Sequence, residues 1–252
     1  MYKYSKILAT GTSGTIGRAL SSQVATLSFK LEENIPVSVV SELENKTIIH
    51  LAGVVGPKIV EENEQHAYEV NVNGTIRLAE LALSQKIEKF IYVSTSHVYG
   101  KSASPITEEH PVNPTNLYSE QKAIAENKLQ ELFKSNPNKL IILRVFSVLD
   151  WGCKPFTLGG FVERIKRGDK HSIANSEDVR DFLAPVQIAY GLERFAQTQI
   201  TGGVYNLCSG EGRTIRNAVV EMLESDIETL SRLTFDNMNS SVPTIVGSDY
   251  KM

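Results

Sequence analysis

Tyr118 and Lys122 stand four residues apart in the segment YSEQK, and at that spacing on a helix a phenol and an ammonium share one face. A free phenol has a pKa near 10, so at neutral pH only about a thousandth of it is ionised and it is a poor general base. A cation about 4 Å away, at an effective dielectric of about 20, favours the phenolate by roughly 4 kcal/mol before desolvation takes its share. A tyrosine tuned in this way can remove a proton from an alcohol, or return one to a ketone, while hydride moves to or from a nicotinamide. The same spacing also describes a packed ring beside a solvated amine, so the pair needs companions.

Two companions are present. Gly11-Thr12-Ser13-Gly14-Thr15-Ile16-Gly17 directly follows a short apolar run and opens a helical pattern, the setting in which glycines let the backbone approach a pyrophosphate. There the free N–H groups and the positive end of the helix dipole offset the phosphate charge. The segment from Tyr92 to Gly100 reads as a strand ending in hydroxyls, Ser94, Thr95 and Ser96, any of which is placed to hydrogen-bond a substrate oxygen. His97 follows as a candidate additional acid or sugar contact.

About 20 residues beyond such a glycine turn, an acid ordinarily binds the ribose hydroxyls of NAD, whereas a basic residue suits the 2′-phosphate of NADP. The chain there reads Phe29-Lys30-Leu31-Glu32-Glu33-Asn34. Glu32 or Glu33 favours NAD and Lys30 favours NADP, and the choice stays open.

The elements that must position these groups are legible as alternating strands and helices. Apolar runs predict strands at Lys6–Thr10, Thr26–Leu31, Thr47–Ala52, Phe90–Ser94 and Leu140–Val145. Helical patterns cover Thr15 to about Val24, Glu64–Ser84 and Tyr118–Ser135, and further stretches in FTLGGFVERIKRG and in RDFLAPVQIAYGLERFAQT after a strand end. GGVYNLCSG reads as a late strand bounded by glycines. This alternation implies an α/β fold, a doubly wound parallel sheet with ligands outside the carboxyl ends of its strands.

Composition excludes much else. With 252 residues, 41% of them hydrophobic, the chain can bury one sizeable core, and a formal charge of −3 gives no general attraction to nucleic acid or an anionic membrane. Cys153 and Cys208 lack metal-ligand spacing and suggest ordinary thiols in a reducing compartment. The lead MYKYSKILATG holds no run long enough for a signal peptide or span, so a cytoplasmic protein is expected.

Seven segments in order, ATGTSGTIG, HLAG, NVNGT, YVSTSHVYG, the Tyr118/Lys122 pair, LRVF and VRDF, resemble the extended short-chain dehydrogenase/reductases. More narrowly they are similar to the NAD-dependent epimerase/dehydratase branch acting on nucleotide sugars, from about Ile7 to about Glu221. The resemblance implies a Rossmann-like domain over 1–252, with a dinucleotide-binding core to about residue 152 and a mixed region beyond, holding a small substrate lobe and the last core strands.

It also implies Tyr118 as catalytic base, Lys122 on the nicotinamide ribose and lowering the tyrosine pKa, and Thr95 as assisting hydroxyl. Leu51, Ala52 and Gly53 would line the NAD or NADP cofactor with Asn71 close by, and Arg180 would grip the substrate diphosphate beside Ser96 and His97. A homodimer through the helices near Glu64–Ser84 and Tyr118–Ser135 is a further implication.

Departures narrow the reading. In 4,6-dehydratases an Asp-Glu pair follows the loop hydroxyl, but Ser96 and His97 follow Thr95, which argues for epimerisation or 4-keto reduction. Leu117 replaces the usual proline before the tyrosine, Val55 a lysine of some epimerases, and Ser147 the asparagine after LRxF. With the segment after the second strand shortened and the chain ending at IVGSDYKM, either a reduced lobe or a truncated chain is expected. A dinucleotide-binding protein that kept the fold but lost its chemistry is the competing reading.

Overall fold

The computed structural model describes residues 5–33, 35–102, 104–150, 158–168, 172–223, 226–231, 233–236 and 244–247. Cys153 and Asn34 lie outside them, as does most of the terminal IVGSDYKM. The strands in chain order are β1 (Ile7–Thr10), β2 (Val24–Thr26), β3 (Thr47–His50), β4 (Lys89–Thr95), β5 (Leu140–Val145), β6 (Ser147–Val148), β7 (Ser172–Ala174), β8 (Val179–Leu183), β9 (Gly203–Leu207), β10 (Gly212–Thr214), β11 (Thr234–Asp236) and β12 (Thr244–Ile245). The α-helices are α1 (Val37–Val40), α2 (Pro57–Glu62), α3 (Glu64–Tyr68), α4 (Thr75–Ser84), α5 (Leu117–Leu132), α6 (Leu158–Lys166), α7 (Pro185–Gln197), α8 (Ile215–Met222) and α9 (Ile227–Ser231).

Six strands form one sheet in the order β2-β1-β3-β4-β5-β9, every neighbouring pair parallel. Parallel strands need crossovers, which cover both faces, so the strand sequences are apolar on both sides. Leu8, Ile48, Phe90, Tyr92 and Ile142 pack on one face against Leu78 and Ala82 of α4 and Ala125 and Leu129 of α5. The alternate residues Ala9, Ile49, Ile91, Val93 and Leu143 pack on the other against Ile188, Leu192 and Phe195 of α7. The expected doubly wound, Rossmann-like sheet is therefore present.

The strand order reverses beside β1, where the sheet runs out one way to β2 and the other way to β3. That switch point opens the crevice in which such sheets take ligands. A smaller sheet, β10-β8-β12, lies off the main one, and β6 pairs with β8 at Ser147↔Phe182 directly after β5 ends. β6 therefore carries the chain from the main sheet into the lobe, and Val148 falls on the boundary.

Two expectations fail at the first crossover. The helix expected from Thr15 to Val24 is a single 3₁₀ turn, Gly17–Ala19, and the strand expected at Thr26–Leu31 is β2, ending at Thr26. Leu20 is already extended, at φ −64° and ψ 144°. The next N–H, of Ser21, bonds Glu193 Oε1 of α7 at 2.7 Å, with the Ser21 hydroxyl on Oε2 at 2.8 Å, instead of continuing a helix. A tertiary partner has outcompeted local propensity.

The helix expected over Glu64–Ser84 is composite, α3 and α4 joined through a π-helical stretch at Glu69–Gly74. The helix expected at Tyr118–Ser135 is α5, begun one residue earlier by Asn116, whose side chain accepts from Ser119 N at 3.0 Å while Ser119 Oγ accepts from Asn116 N at 3.3 Å.

Candidate active site

The glycine turn and the loop after β3 face each other across a cavity of about 640 Å³. Gly11 to Gly17, Leu51, Ala52, Gly53 and the segment Thr26–Phe29 line it, together with Val55, Val148 and Asp150. Gly11 holds φ +70°, and a Cβ there would lie 2.6 Å from Ala52 N. At Gly17 a Cβ would lie 2.4 Å from the Gly11 carbonyl oxygen. Only glycines let the turn close this tightly on the neighbouring loop. The cradle fits a dinucleotide in shape: a bare glycine turn at the switch point, facing Leu51, Ala52 and Gly53 of the loop after β3.

Its charges are less accommodating. No Lys, Arg or His is among the described residues lining the cavity, and the 3₁₀ turn of three residues offers little of the dipole expected from a full helix. Lys30, expected at the cofactor, is not on this wall; it pairs with Glu33 at 2.8 Å on the exposed surface. With β2 ending at Thr26, Thr26 to Phe29 occupy the place expected for Lys30, Glu32 and Glu33, and Thr26 bonds Thr12 through their hydroxyls at 3.1 Å.

The wall after β3 is held by a buried relay. Ala52 N donates to Thr10 Oγ1 at 3.2 Å, Thr10 shares 2.7 Å with His50 Nδ1, His50 Nε2 shares 2.9 Å with Thr75 Oγ1, and Thr75 donates to the Asn71 carbonyl at 2.9 Å. Because the Thr75 hydroxyl donates onward, Nε2 carries the proton and Nδ1 accepts from Thr10. Burial and then the charge of Lys122 push the His50 pKa down to about 3, so the ring is neutral.

Asn71, expected close to the cofactor, spends both amide protons on protein, on Val54 O at 3.0 Å and Gln121 Oε1 at 2.9 Å, and accepts from Val54 N at 2.8 Å. It positions the wall and does not line the cavity.

Val55 and Val148 also line an adjoining chamber of about 380 Å³, with Thr95, His97, Tyr118 and Arg180. The structure thus brings together a strand end, a helix start and a lobe strand that are far apart in sequence. Thr95 ends β4 and shares the chamber wall with Tyr118 in the first turn of α5. Burial pushes the Tyr118 pKa up to about 12, and the neighbouring Thr95 hydroxyl counters it.

The expected lowering by Lys122 is not among the influences on that phenol. Lys122 instead donates to Val93 O at 2.7 Å and lies 4.2 Å from the centroid of the Tyr92 ring. Burial lowers its own pKa to about 7, against an opposing pull from Glu126. Both members of the pair are thus less charged than their spacing led us to expect: Lys122 is buried against Val93 and Tyr92, while Tyr118 is half-buried on the chamber wall.

Of the residues expected on the substrate, His97 and Arg180 line the chamber and Ser96 does not: it is fully buried, its Oγ without a hydrogen-bond partner among the described residues. Burial and the nearby Arg180 push the His97 pKa down to about 4, which leaves a neutral ring. Arg180 pairs with Asp178 at 2.8 Å and still reaches the chamber wall.

Sequence reading missed the support beneath this constellation. Glu126, one turn beyond Lys122 on α5, accepts from Ser94 and pairs with Arg144 of β5 at 2.6 Å, and all three are buried. Arg144 also lies 4.6 Å from the Tyr99 ring, and Tyr99 donates to Asn206 Oδ1 at 2.8 Å. Glu126 shares the Tyr118/Lys122 face, which was the available signal. Asp150 was also missed, and nothing in its local sequence marks it.

Fold and site together define a Rossmann-like protein of the short-chain dehydrogenase/reductase type, with a tyrosine, a lysine and a hydroxyl at the carboxyl edge of its sheet. A model of the NAD dependent epimerase/dehydratase family matches residues 7–208, and the chain belongs to that family. It is 28% identical over 201 residues to UDP-glucose 4-epimerase 2 of Oryza sativa subsp. japonica, a match covering 68% of this chain and 48% of that one. It is 26% identical over 241 residues to GDP-6-deoxy-D-mannose reductase of Pseudomonas aeruginosa, covering 86% and 79%.

The chain spans about half the length of the plant epimerases it matches. Its fold is shared with MoeE5 in complex with UDP-glucose and NAD, at a TM-score of 0.83 and 21% identity over 98% of this chain and 90% of that one. No helix among the described residues is long and apolar enough to cross a membrane.

Proposed function

We propose that the protein is an NAD(P)-dependent epimerase or 4-keto reductase of a nucleotide-activated sugar. The observation that carries this reading is the chamber in which Thr95, Tyr118, His97 and Arg180 converge, sharing Val55 and Val148 with the glycine-turn cavity. A dinucleotide held on the glycine turn would reach toward Tyr118 along that shared wall. When bound, its nicotinamide supplies the acceptor or donor of a hydride at a sugar carbon.

The chain's own residues then handle the proton and the orientation. Thr95 and Tyr118 together bind the sugar oxygen that changes between hydroxyl and carbonyl, and Tyr118 takes or returns its proton. Burial keeps Tyr118 protonated, which suits giving a proton to a carbonyl oxygen; the opposite direction requires the phenolate, which the neighbouring Thr95 hydroxyl favours. Arg180 offers a planar fork to diphosphate oxygens, and neutral His97 can donate to or accept from a sugar hydroxyl.

No Asp or Glu is among the described residues lining the chamber, which supports hydride and proton transfer over elimination of water. A homodimer through the helical stretch Glu64–Ser84 and α5 is part of the proposal, and sedimentation tests it. For the activity, a panel of 4-hydroxy and 4-keto nucleotide sugars is incubated with NAD or NADPH and the products are separated. Conversion of at least one, with binding lost in Arg180→Ala, is the expected result; no conversion of any, with binding indifferent to Arg180, contradicts the reading.

A further inference from the structure

Tyr92 of β4 is buried against Lys122, whose ammonium lies 4.2 Å from the centroid of its ring. The same ammonium donates to Val93 O at 2.7 Å, so two consecutive residues of one strand hold it. The Tyr92 hydroxyl has no hydrogen-bond partner among the described residues, and what this side chain offers the lysine is the face of its ring. A buried ammonium has lost the water that stabilised its charge, and the electron-rich face of an aromatic ring restores part of that stabilisation without carrying a charge. The Val93 carbonyl fixes where the nitrogen sits; the ring favours the charged form. His50 also stacks on Tyr92, at a centroid distance of 6.0 Å, and being neutral it brings no second cation to the ring.

We infer that Tyr92 is a positioning residue acting through Lys122: its ring face keeps that side chain on β4 and sustains its positive charge there. The inference rests on the reading in which Lys122 serves the dinucleotide, and it adds the residue that keeps the lysine fit to do so. An ammonium presents three donors and a charge to a ligand's hydroxyls, and loss of the proton removes the charge and one donor. Burial brings the Lys122 pKa down to about 7, so near neutrality its surroundings decide the charge. Glu126 on the same helix favours the charged form and is itself paired with Arg144 of β5. His50 of β3 and His97 after β4 are neutral, as are the Tyr92, Tyr99 and Tyr118 phenols. Lys89 begins β4 and is held by the Phe195 and Thr198 carbonyls. The acids and bases of α2, α3 and α4 are exposed, save Arg77, which pairs with Glu69.

The test is an NMR titration of the purified protein with its lysines isotope-labelled at Cε, the Lys122 signal being assigned by its loss in Lys122→Met. Wild type is compared with Tyr92→Phe, Tyr92→Leu and a protein carrying a trifluorinated phenylalanine in place of Tyr92, which keeps the ring's shape and removes the electron density of its face. Thermal melts check that each folds; if Tyr92→Leu does not, the fluorinated ring carries the test. Lys122 should titrate within about 0.3 pH units of wild type in Tyr92→Phe, and about one pH unit lower in the fluorinated and leucine variants. NAD+ affinity, measured by calorimetry on the same proteins, should fall as Lys122 loses its proton, and that fall should move to lower pH by the same interval. A Lys122 that titrates alike in all of them, or that moves as far in Tyr92→Phe as in Tyr92→Leu, overturns the inference while the dinucleotide reading stands. An NAD+ affinity that does not follow the shift in Lys122 overturns the positioning role. Absence of NAD+ binding at any pH overturns the cofactor reading and the inference with it.

Discussion

Lys122 donates to the carbonyl of Val93 at 2.7 Å, so the ammonium of the Tyr118 helix is anchored on the strand behind the site and not on the tyrosine. With a pKa of about 7 in the folded chain and the ordinary lysine value when unfolded, it has a definite effect on stability. Above about pH 7 the unfolded chain keeps this proton and the folded one sheds it. Stability from this group therefore rises with pH between about 7 and 10.5 and is lowest at and below pH 7. Lys122→Met should lose that slope and gain on wild type as the pH falls from 10 to 7. Urea unfolding of both proteins across this range checks it, and parallel curves would count against a buried, proton-shedding Lys122.

Glu126 and Arg144 form a buried pair beneath the site, with Ser94 on the same carboxylate. Glu126→Gln strands the Arg144 charge and should cost about 3–5 kcal/mol, whereas Glu126→Gln combined with Arg144→Met should cost less than the single change. Denaturant unfolding of the two variants and Arg144→Met supplies the cycle. A loss below about 1 kcal/mol in the single variant would show the pair to be solvated.

At the glycine turn two substitutions should separate. A Cβ at Gly17 meets backbone at 2.4 Å, while at Gly14 the nearest atom is the Gly11 carbonyl oxygen at 3.2 Å. Gly17→Ala should therefore lower stability by about 1–3 kcal/mol and Gly14→Ala by less, in the same unfolding assay. Equal losses would mean that the turn relaxes as freely at one position as at the other.

Much of this was legible in the sequence because it was local. Strand periodicity placed β1, β3, β4 and β5, and the i,i+4 spacing put Tyr118 and Lys122 on one face of α5. What was not legible depended on distant partners. Glu193 of α7 holds Ser21 where the expected helix would continue, β2 ends at Thr26, and Lys30 lies off the cavity wall. The charge states of Tyr118 and Lys122 depend on how deeply α5 sinks against β4, which spacing does not encode. Asp150 became visible only when the fold brought it within hydrogen-bond reach of Thr15, 135 residues earlier.

The proposed function has Tyr118 and Thr95 move a proton on a sugar oxygen while hydride leaves or returns to the carbon beside it. It is tested most directly by mixing the NAD+-loaded protein with each nucleotide sugar of a panel and following reduced-nicotinamide fluorescence, in wild type and Tyr118→Phe. With at least one sugar, wild type should show a transient or lasting rise, and Tyr118→Phe should slow it by about 10²-fold or more while binding the dinucleotide normally. No rise with any sugar in a protein that binds NAD+, or an undiminished rate in Tyr118→Phe, would contradict the account.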